Sequence, residues 1–141
     1  MAISDKVFID ANIWLRYLVA DDEEQYVQCR DLISKFQEGS FRPYTSSLVL
    51  LEVSYVLFSV YKIPQKEIDK DLAVLLGLRS IVIVDETNFL SAFALHQKIG
   101  VKLADCLIAT QVPPGVVLCT YDRDFSKLPG VTVCTPQQIL A

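Results

Sequence analysis

The sequence predicts an α/β fold, a parallel sheet flanked by helices on both faces, and two observations carry that prediction. The strand-like segments are short, continuous apolar runs, such as SIVIV over 80–84 and VVLCT over 116–120, which is the pattern of strands buried on both faces. Helical segments with recognisable caps stand between them, the alternation that builds a parallel sheet. A chain of 141 residues, 52% of them apolar and with only 5 Gly and 6 Pro, has the length for one domain over 1–141 with a real core, and its composition is far from that of disorder.

The first strand is expected at 7–10, with a helix over 12–20. Asp21, Asp22, Glu23 and Glu24 open a second helix, because acidic side chains suit the positive end of a helix dipole; it runs to about Glu38 and stops at Gly39. Residues 41–45 form a strand or an extended connection. Ser46 or Ser47 caps the apolar helix 48–61, and Pro64 suits the first turn of another that ends near Gly77. A β-branched strand is expected at 80–84. Thr87 caps a helix to Ile99 with Gly100 as its stop, and 103–112 is one more short helix. Strands at 116–120 and 131–134 come next, and TPQQ at 135–138 is a capping box opening a terminal turn.

Several function classes drop out on composition. The longest apolar run, 48–61, is too short to cross a bilayer, and MAISDKVFID lacks the apolar stretch of a signal peptide, so a cytoplasmic protein without a membrane partner is expected. Cys29, Cys106, Cys119 and Cys134 are widely separated, and with one histidine, His96, they read as free core thiols rather than zinc ligands. A net charge of −4 argues against a broad basic surface for nucleic acid. The apolar excess implies that part of it faces another chain, as in a dimer or a bound partner.

The chemistry lies in carboxylates. Asp10 and Asp122 stand at or just past the carboxyl ends of expected strands, where ligands bind in such sheets. Glu52 is the only charged residue from Pro43 to Tyr61, and a lone carboxylate on an apolar helix is costly to bury by several kcal/mol unless a cation or donors meet it. Asp105 has the small neighbours Ala104 and Cys106, which allow close approach of a ligand. Each also has an ordinary explanation: an N-cap for Asp10, solvent contact for Glu52, a first-turn acid for Asp105, an Asx turn for Asp122 and Asp124. The acidic run at 21–24 and His96 read as structural. Brought together by one fold, the carboxylates repel each other unless a cation lies among them, and oxygen-only ligands select a hard ion, Mg2+ or Mn2+. Such an ion beside a phosphodiester activates water and stabilises the leaving oxygen, so the implied reaction is phosphodiester hydrolysis.

The ordered set FIDAN, SSLVLLEVSYVL, KLADCLIAT and LCTYDRDF, carrying Asp10, Glu52, Asp105 and Asp122, resembles the PIN-domain nucleases, in particular the VapC-type toxins of toxin–antitoxin pairs. The resemblance runs from Val7 to about Val133 and implies a Rossmann-like sheet, a divalent-metal site, endonucleolytic cleavage of RNA and a cognate antitoxin, while the helix 48–61, apolar on nearly every face, leads us to expect a homodimer. It implies that Asp10, Glu52, Asp105 and Asp122 hold the metal, that Asp124 shares a ligand role, and that Asn12 and Thr120 orient ligands or water. Ala11 stands where relatives commonly carry Thr or Ser, which removes one hydroxyl near the site. Arg16, Lys102 and Arg123 lie near the motifs and are candidates to meet the RNA backbone.

Two other α/β readings fit less well. A signalling receiver domain wants adjacent carboxylates after the first strand, where Ile9 precedes Asp10 here, and an Asp-nucleophile phosphatase wants an Asp where Asn12 stands. The alternative that remains is a PIN-like binding or scaffold module without nuclease activity.

Overall fold

The computed structural model describes residues 4–141. Five parallel strands, β1 (Lys6–Ile9), β2 (Arg42–Thr45), β3 (Val82–Ile83), β4 (Val117–Cys119) and β5 (Val133–Cys134), form one sheet in the order β3-β2-β1-β4-β5. The helices are α1 (Ala11–Val19), α2 (Glu23–Glu38), α3 (Ser47–Ser59), α4 (Gln65–Leu76), α5 (Phe89–Ile99), α6 (Leu103–Gln111) and α7 (Pro136–Leu140). Val7, Phe8 and Ile9 are all fully buried, as are Leu118 and Cys119. Successive strand residues point to opposite faces, so burial of every one means that both faces of the central sheet are covered.

Local chemistry accounts for most of the element ends. Asp22 caps α2 by accepting from the Gln25 N–H at 3.0 Å, and Gly39 ends it at φ +83°. Of the two candidate serines, Ser46 caps α3, accepting from the Val49 N–H at 3.1 Å. The capping box at α7 is complete, with Thr135 and Gln138 each bonding the other's backbone N–H.

Four expectations need correction. The strand expected at 80–84 shortens to the two residues of β3, because Ser80 takes a left-handed φ of +59° and turns the chain before it can pair. Helix α5 is capped by Asn88, which accepts from the Ser91 N–H, and not by Thr87; Asn is the stronger cap of the two. Pro64 sits at the N-cap of α4, one position before its first turn, with ψ 145°. A single 3-10 turn over Arg123–Lys127, absent from the sequence expectation, comes after β4.

One buried relay ties the three elements that converge at the carboxyl edge. The Trp14 indole of α1 donates to Thr45 Oγ1 of β2 at 3.1 Å, and that hydroxyl donates to the Ile9 carbonyl of β1 at 3.2 Å. Trp14 and Thr45 are both fully buried, so neither group has water as a substitute. Thr45→Val keeps the shape and strands both partners. It is expected to lower unfolding free energy by about 1 to 3 kcal/mol, measured by urea denaturation followed through fluorescence of the one tryptophan; an unchanged midpoint would show that the relay is immaterial.

Candidate metal centre

The strand order reverses direction at β1, whose neighbours are β2 on one side and β4 on the other. A crevice opens at such a switch point outside the carboxyl ends of the strands. The residues that leave β1 and β4 there are Asp10 and the segment Thr120–Asp122, with the Asp10 N–H still bonded to the Cys119 carbonyl at 3.1 Å.

Asp10 occupies the N-cap position of α1 but its side chain caps nothing. Its Oδ2 instead accepts from Thr120 Oγ1 at 2.8 Å and from Asn12 Nδ2 at 3.3 Å. Asn12 also donates to Thr120 Oγ1 at 2.9 Å and accepts from the Tyr121 N–H at 3.1 Å, while Thr120 Oγ1 accepts from the Asp122 N–H at 3.0 Å. This small network locks the two strand ends together and fixes the Asp10 carboxyl. The capping explanation of Asp10 is therefore excluded, and Asn12 and Thr120 act as its anchors.

The Asx turn offered for Asp122 is present: its Oδ1 accepts from the Asp124 N–H at 2.9 Å and starts the 3-10 turn. That uses one oxygen of the carboxylate. Asp124 Oδ1 pairs with Lys127 Nζ at 3.1 Å. Asp105, in the first turn of α6, is 8% exposed, and its Oδ2 is buried without a hydrogen-bond partner. One carboxylate oxygen from each of Asp105, Asp122 and Asp124 lies within 4.8 Å of the other two.

Asp10 and Glu52 stand beside this cluster and outside its tight set, close enough for charge to be felt: the Asp10 carboxyl senses Glu52 and Asp122, and Glu52 senses Asp105 and Asp122. Glu52 is exposed, so the premise that it is a buried charge does not hold. Helix α3 is apolar because it leaves large hydrophobic residues exposed, Leu51 at 68% and Tyr55 at 67%, beside which one charge needs no special partner. Desolvation by these neighbours raises the Glu52 pKa; Asp105 raises it further and Lys102 opposes the shift. Burial also pushes Asp10 and Asp105 up to about 6, with the nearby carboxylates adding to the shift and Lys102 holding Asp105 back.

Other sequence candidates lie outside the cluster. His96 Nδ1 is engaged by the Val101 carbonyl at 2.7 Å, and Arg16 is tied to Asp21 and to Gln25. The placement of Lys102 beside both Glu52 and Asp105 is the electrostatic feature that sequence spacing alone did not resolve.

A buried carboxylate that has one oxygen without a donor and that meets two further carboxylates fits a hard divalent cation bound through oxygen. Asp105, Asp122 and Asp124 have the geometry to hold one, with Asp10 and Glu52 at its margin.

A family model described as the PIN domain matches residues 7–131. The chain belongs to the PIN domain family. Among solved structures it is similar to VapBC2 from Rickettsia felis bound to a DNA fragment from their promoter, with 17% identity, a TM-score of 0.66, and 92% of this chain and 98% of that one covered. It is similar to VapBC-1 from nontypeable Haemophilus influenzae, with 13% identity, a TM-score of 0.66 and coverage of 94% and 98%. A toxin–antitoxin complex from Klebsiella pneumoniae gives 20% identity, a TM-score of 0.60 and coverage of 92% and 97%. No curated protein matches the sequence significantly. At these identities the likeness to solved structures establishes the fold, which agrees with the parallel α/β sheet expected from sequence.

The raised carboxyls of this PIN domain make its stability depend on pH and metal together. For Asp10 and Asp105 the folded pKa, about 6, exceeds the ordinary value of 3.8, so the folded state holds more protons and stability falls as pH rises from about 4 to about 6. For the well-buried Asp10 a shift of this size corresponds to roughly 3 kcal/mol at most, and Asp105, which shares part of the same repulsion, acts in the same direction. A divalent cation competes with those protons and offsets the loss once they have left. The expected result is a melting-temperature gap between Mn2+-loaded and chelator-treated protein that widens as pH rises through about 6, read by scanning fluorimetry. A gap that stays constant from about pH 4 to 8 would contradict the coupling.

Proposed function

We propose that this protein is a divalent-metal-dependent endoribonuclease and the toxin component of a toxin–antitoxin pair. The single observation that carries the reading is the convergence of Asp105, Asp122 and Asp124, of which Asp105 also has a buried oxygen without a hydrogen-bond partner, at the switch point of a PIN fold. PIN domains are nucleases, and the similar structures named above are VapBC or toxin–antitoxin assemblies. Asp105, Asp122 and Asp124 bind the ion, Mg2+ or Mn2+, together with Asp10 and Glu52, while Asn12 and Thr120 keep Asp10 oriented. When bound, the ion supplies an activated water and charge stabilisation for the departing oxygen of an RNA phosphodiester. Attack by water leaves the RNA 2′-hydroxyl unused. A scaffold role without activity is the other reading, but a scaffold has no use for a buried acceptor lacking a donor.

The exposed apolar residues of α3 and α5, among them Phe58 at 58%, Phe89 at 56% and Leu90 at 83%, support association with other chains. A second copy of the chain covers this face, and an apolar segment of the antitoxin lies in the groove of about 440 Å3 formed by Leu48, Leu51, Tyr55, Ala104 and Ile108 beside Glu52. The pair is placed in the cytoplasm, where its RNA substrate is found; no helix among the described residues is long and apolar enough to cross a membrane.

One cleavage experiment tests the activity. With Mg2+ or Mn2+ the purified chain should cut single-stranded RNA to fragments with 5′-phosphate and 3′-hydroxyl ends, and Asp105→Asn should abolish cutting while melting, in chelator, at the same or a higher temperature than the parent. The amide removes a charge from the cluster, so it relieves repulsion even as it deletes a ligand. Fragments ending mainly in 2′,3′-cyclic phosphate, or an active but destabilised Asp105→Asn, would sink the mechanism or the site. Association is checked separately by light scattering, where the mass of a dimer is expected at micromolar concentration and a monodisperse monomer would refute it.

A further inference from the structure

A second feature adjoins the acidic centre, and Glu52 is not part of its lining. A cleft of about 420 Å3 lies between the start of α2 and the carboxyl ends of β4 and β5, sharing Thr120 and Asp122 with the centre. Beyond Asp122 its lining holds no other carboxylate, and Gln25, Arg123, Ser126, Thr135 and Gln138 supply its polar side chains.

Internal hydrogen bonds decide what these groups have left to offer. Gln25 Oε1 already accepts from Arg16 Nε at 2.7 Å, and Gln138 Oε1 accepts from the Thr135 N–H at 2.8 Å. Each side-chain amide has thus committed its acceptor and retains N–H donors. The Tyr121 hydroxyl is taken up by Gln28 at 2.9 Å and by Cys29. Arg123 is exposed and in no salt bridge among the described residues, the neighbouring Asp124 being paired with Lys127. The cleft is therefore rich in donors and poor in acceptors, in a protein whose net charge is −4.

The groove that includes Glu52 is the opposite in character, with Glu52 as the only charged group among Leu48, Leu51, Tyr55, Ala104 and Ile108. An anionic chain that crosses the centre has one hydrogen-bonding way out. A volume of about 420 Å3 falls in the range of small-ligand sites, about 300 to 1,000 Å3, and suits a single splayed nucleotide rather than a duplex. We propose that this cleft binds the nucleotide next to the cleaved bond of a single-stranded RNA, with Arg123 meeting its phosphate and the Gln25 and Gln138 amides donating to its base or ribose. The assignment rests on the nuclease reading for where the cleaved bond lies.

The test separates the two. An RNA octamer of mixed sequence is titrated into 15N-labelled Asp105→Asn protein with Mn2+, and binding is measured in parallel by anisotropy at several salt concentrations. Amide shifts are expected at Arg123, Ser126, Thr135 and Gln138. Arg123→Gln in the same background should weaken binding about tenfold and reduce the salt slope by about 0.7, the value for one phosphate contact to a single strand. Ser126→Trp, an exposed position whose larger side chain fills the cleft, should weaken binding at least as much. A merely structural Arg123 leaves the salt slope unchanged. Shifts confined to α3 and α6, or unaltered affinity and slope in both variants, would overturn the cleft assignment while leaving cleavage by the parent protein intact. Conversely, octamer bound in the cleft but never cut by the parent protein would sink the nuclease reading and support the cleft.

Discussion

Two carboxylates about 5 Å apart repel by about 3 kcal/mol at an effective dielectric near 20, and Asp105, Asp122 and Asp124 present oxygens within 4.8 Å of one another. The fold sustains that repulsion because each acid is attached to something it cannot easily leave. Asp122 is held by its own Asx turn and by the Thr120 hydroxyl, Asp124 is partly neutralised by Lys127, and Asp105 is carried on a helix whose next residues, Cys106 and Ile108, are core. Asp10 comes directly after a strand with no exposed residue beyond Lys6. The Asp105 oxygen without a donor stays unbalanced, and burial, with the neighbouring carboxylates adding to it, raises the pKa of Asp10 and Asp105.

The sheet order explains why these acids meet although they lie far apart in sequence. With β1 between β2 and β4, the chain places the exits of its first and fourth strands side by side, and the Asn12–Thr120 bond of 2.9 Å closes the seam between them. The Trp14–Thr45–Ile9 relay does the same between β1 and β2. Two short polar networks, one on each side of β1, thus set the edge from which the site projects, and the apolar strands beneath supply the rigidity.

The range of each interaction decides whether it is legible in the sequence. The places of the strands, the helix start in the acidic run 21–24, the cap at Ser46 or Ser47, the capping box at Thr135 and the stop at Gly39 depend on neighbours within four residues and were legible. The start of β3 was not, because the turn at Ser80 lies where Arg42 reaches across to its carbonyl, a contact between distant segments. Asp10 and Asp122 were legible as acids at strand ends. Glu52 does stand beside the centre, but the premise that pointed to it fails, since the helix around it is apolar on an exposed face as well as a buried one. Asp105 taken alone had an equally good explanation as a first-turn acid, and only its meeting with Asp122 and Asp124 in space distinguishes it.

The acidic net charge looks at odds with an RNA substrate until the surroundings of the centre are compared. Polyanion binding by a broad basic surface gains from counterion release at every phosphate, whereas this chain offers one exposed arginine and a set of neutral donors in one cleft and hydrocarbon with the single charge of Glu52 in another groove. Neutral donors add little long-range attraction, so encounter is not strongly steered. They do discriminate at contact, because a donor left unpaired on burial costs about 1 to 3 kcal/mol, and only a ligand with acceptors in the right places avoids that loss. On the proposed function, such a nuclease would rely on the cation for its attraction to phosphate and on the cleft for selecting the adjoining nucleotide. The same division suits the apolar groove, where a partner protein would cover Leu51 and Tyr55 next to Glu52 without competing for the donors of the proposed nucleotide cleft.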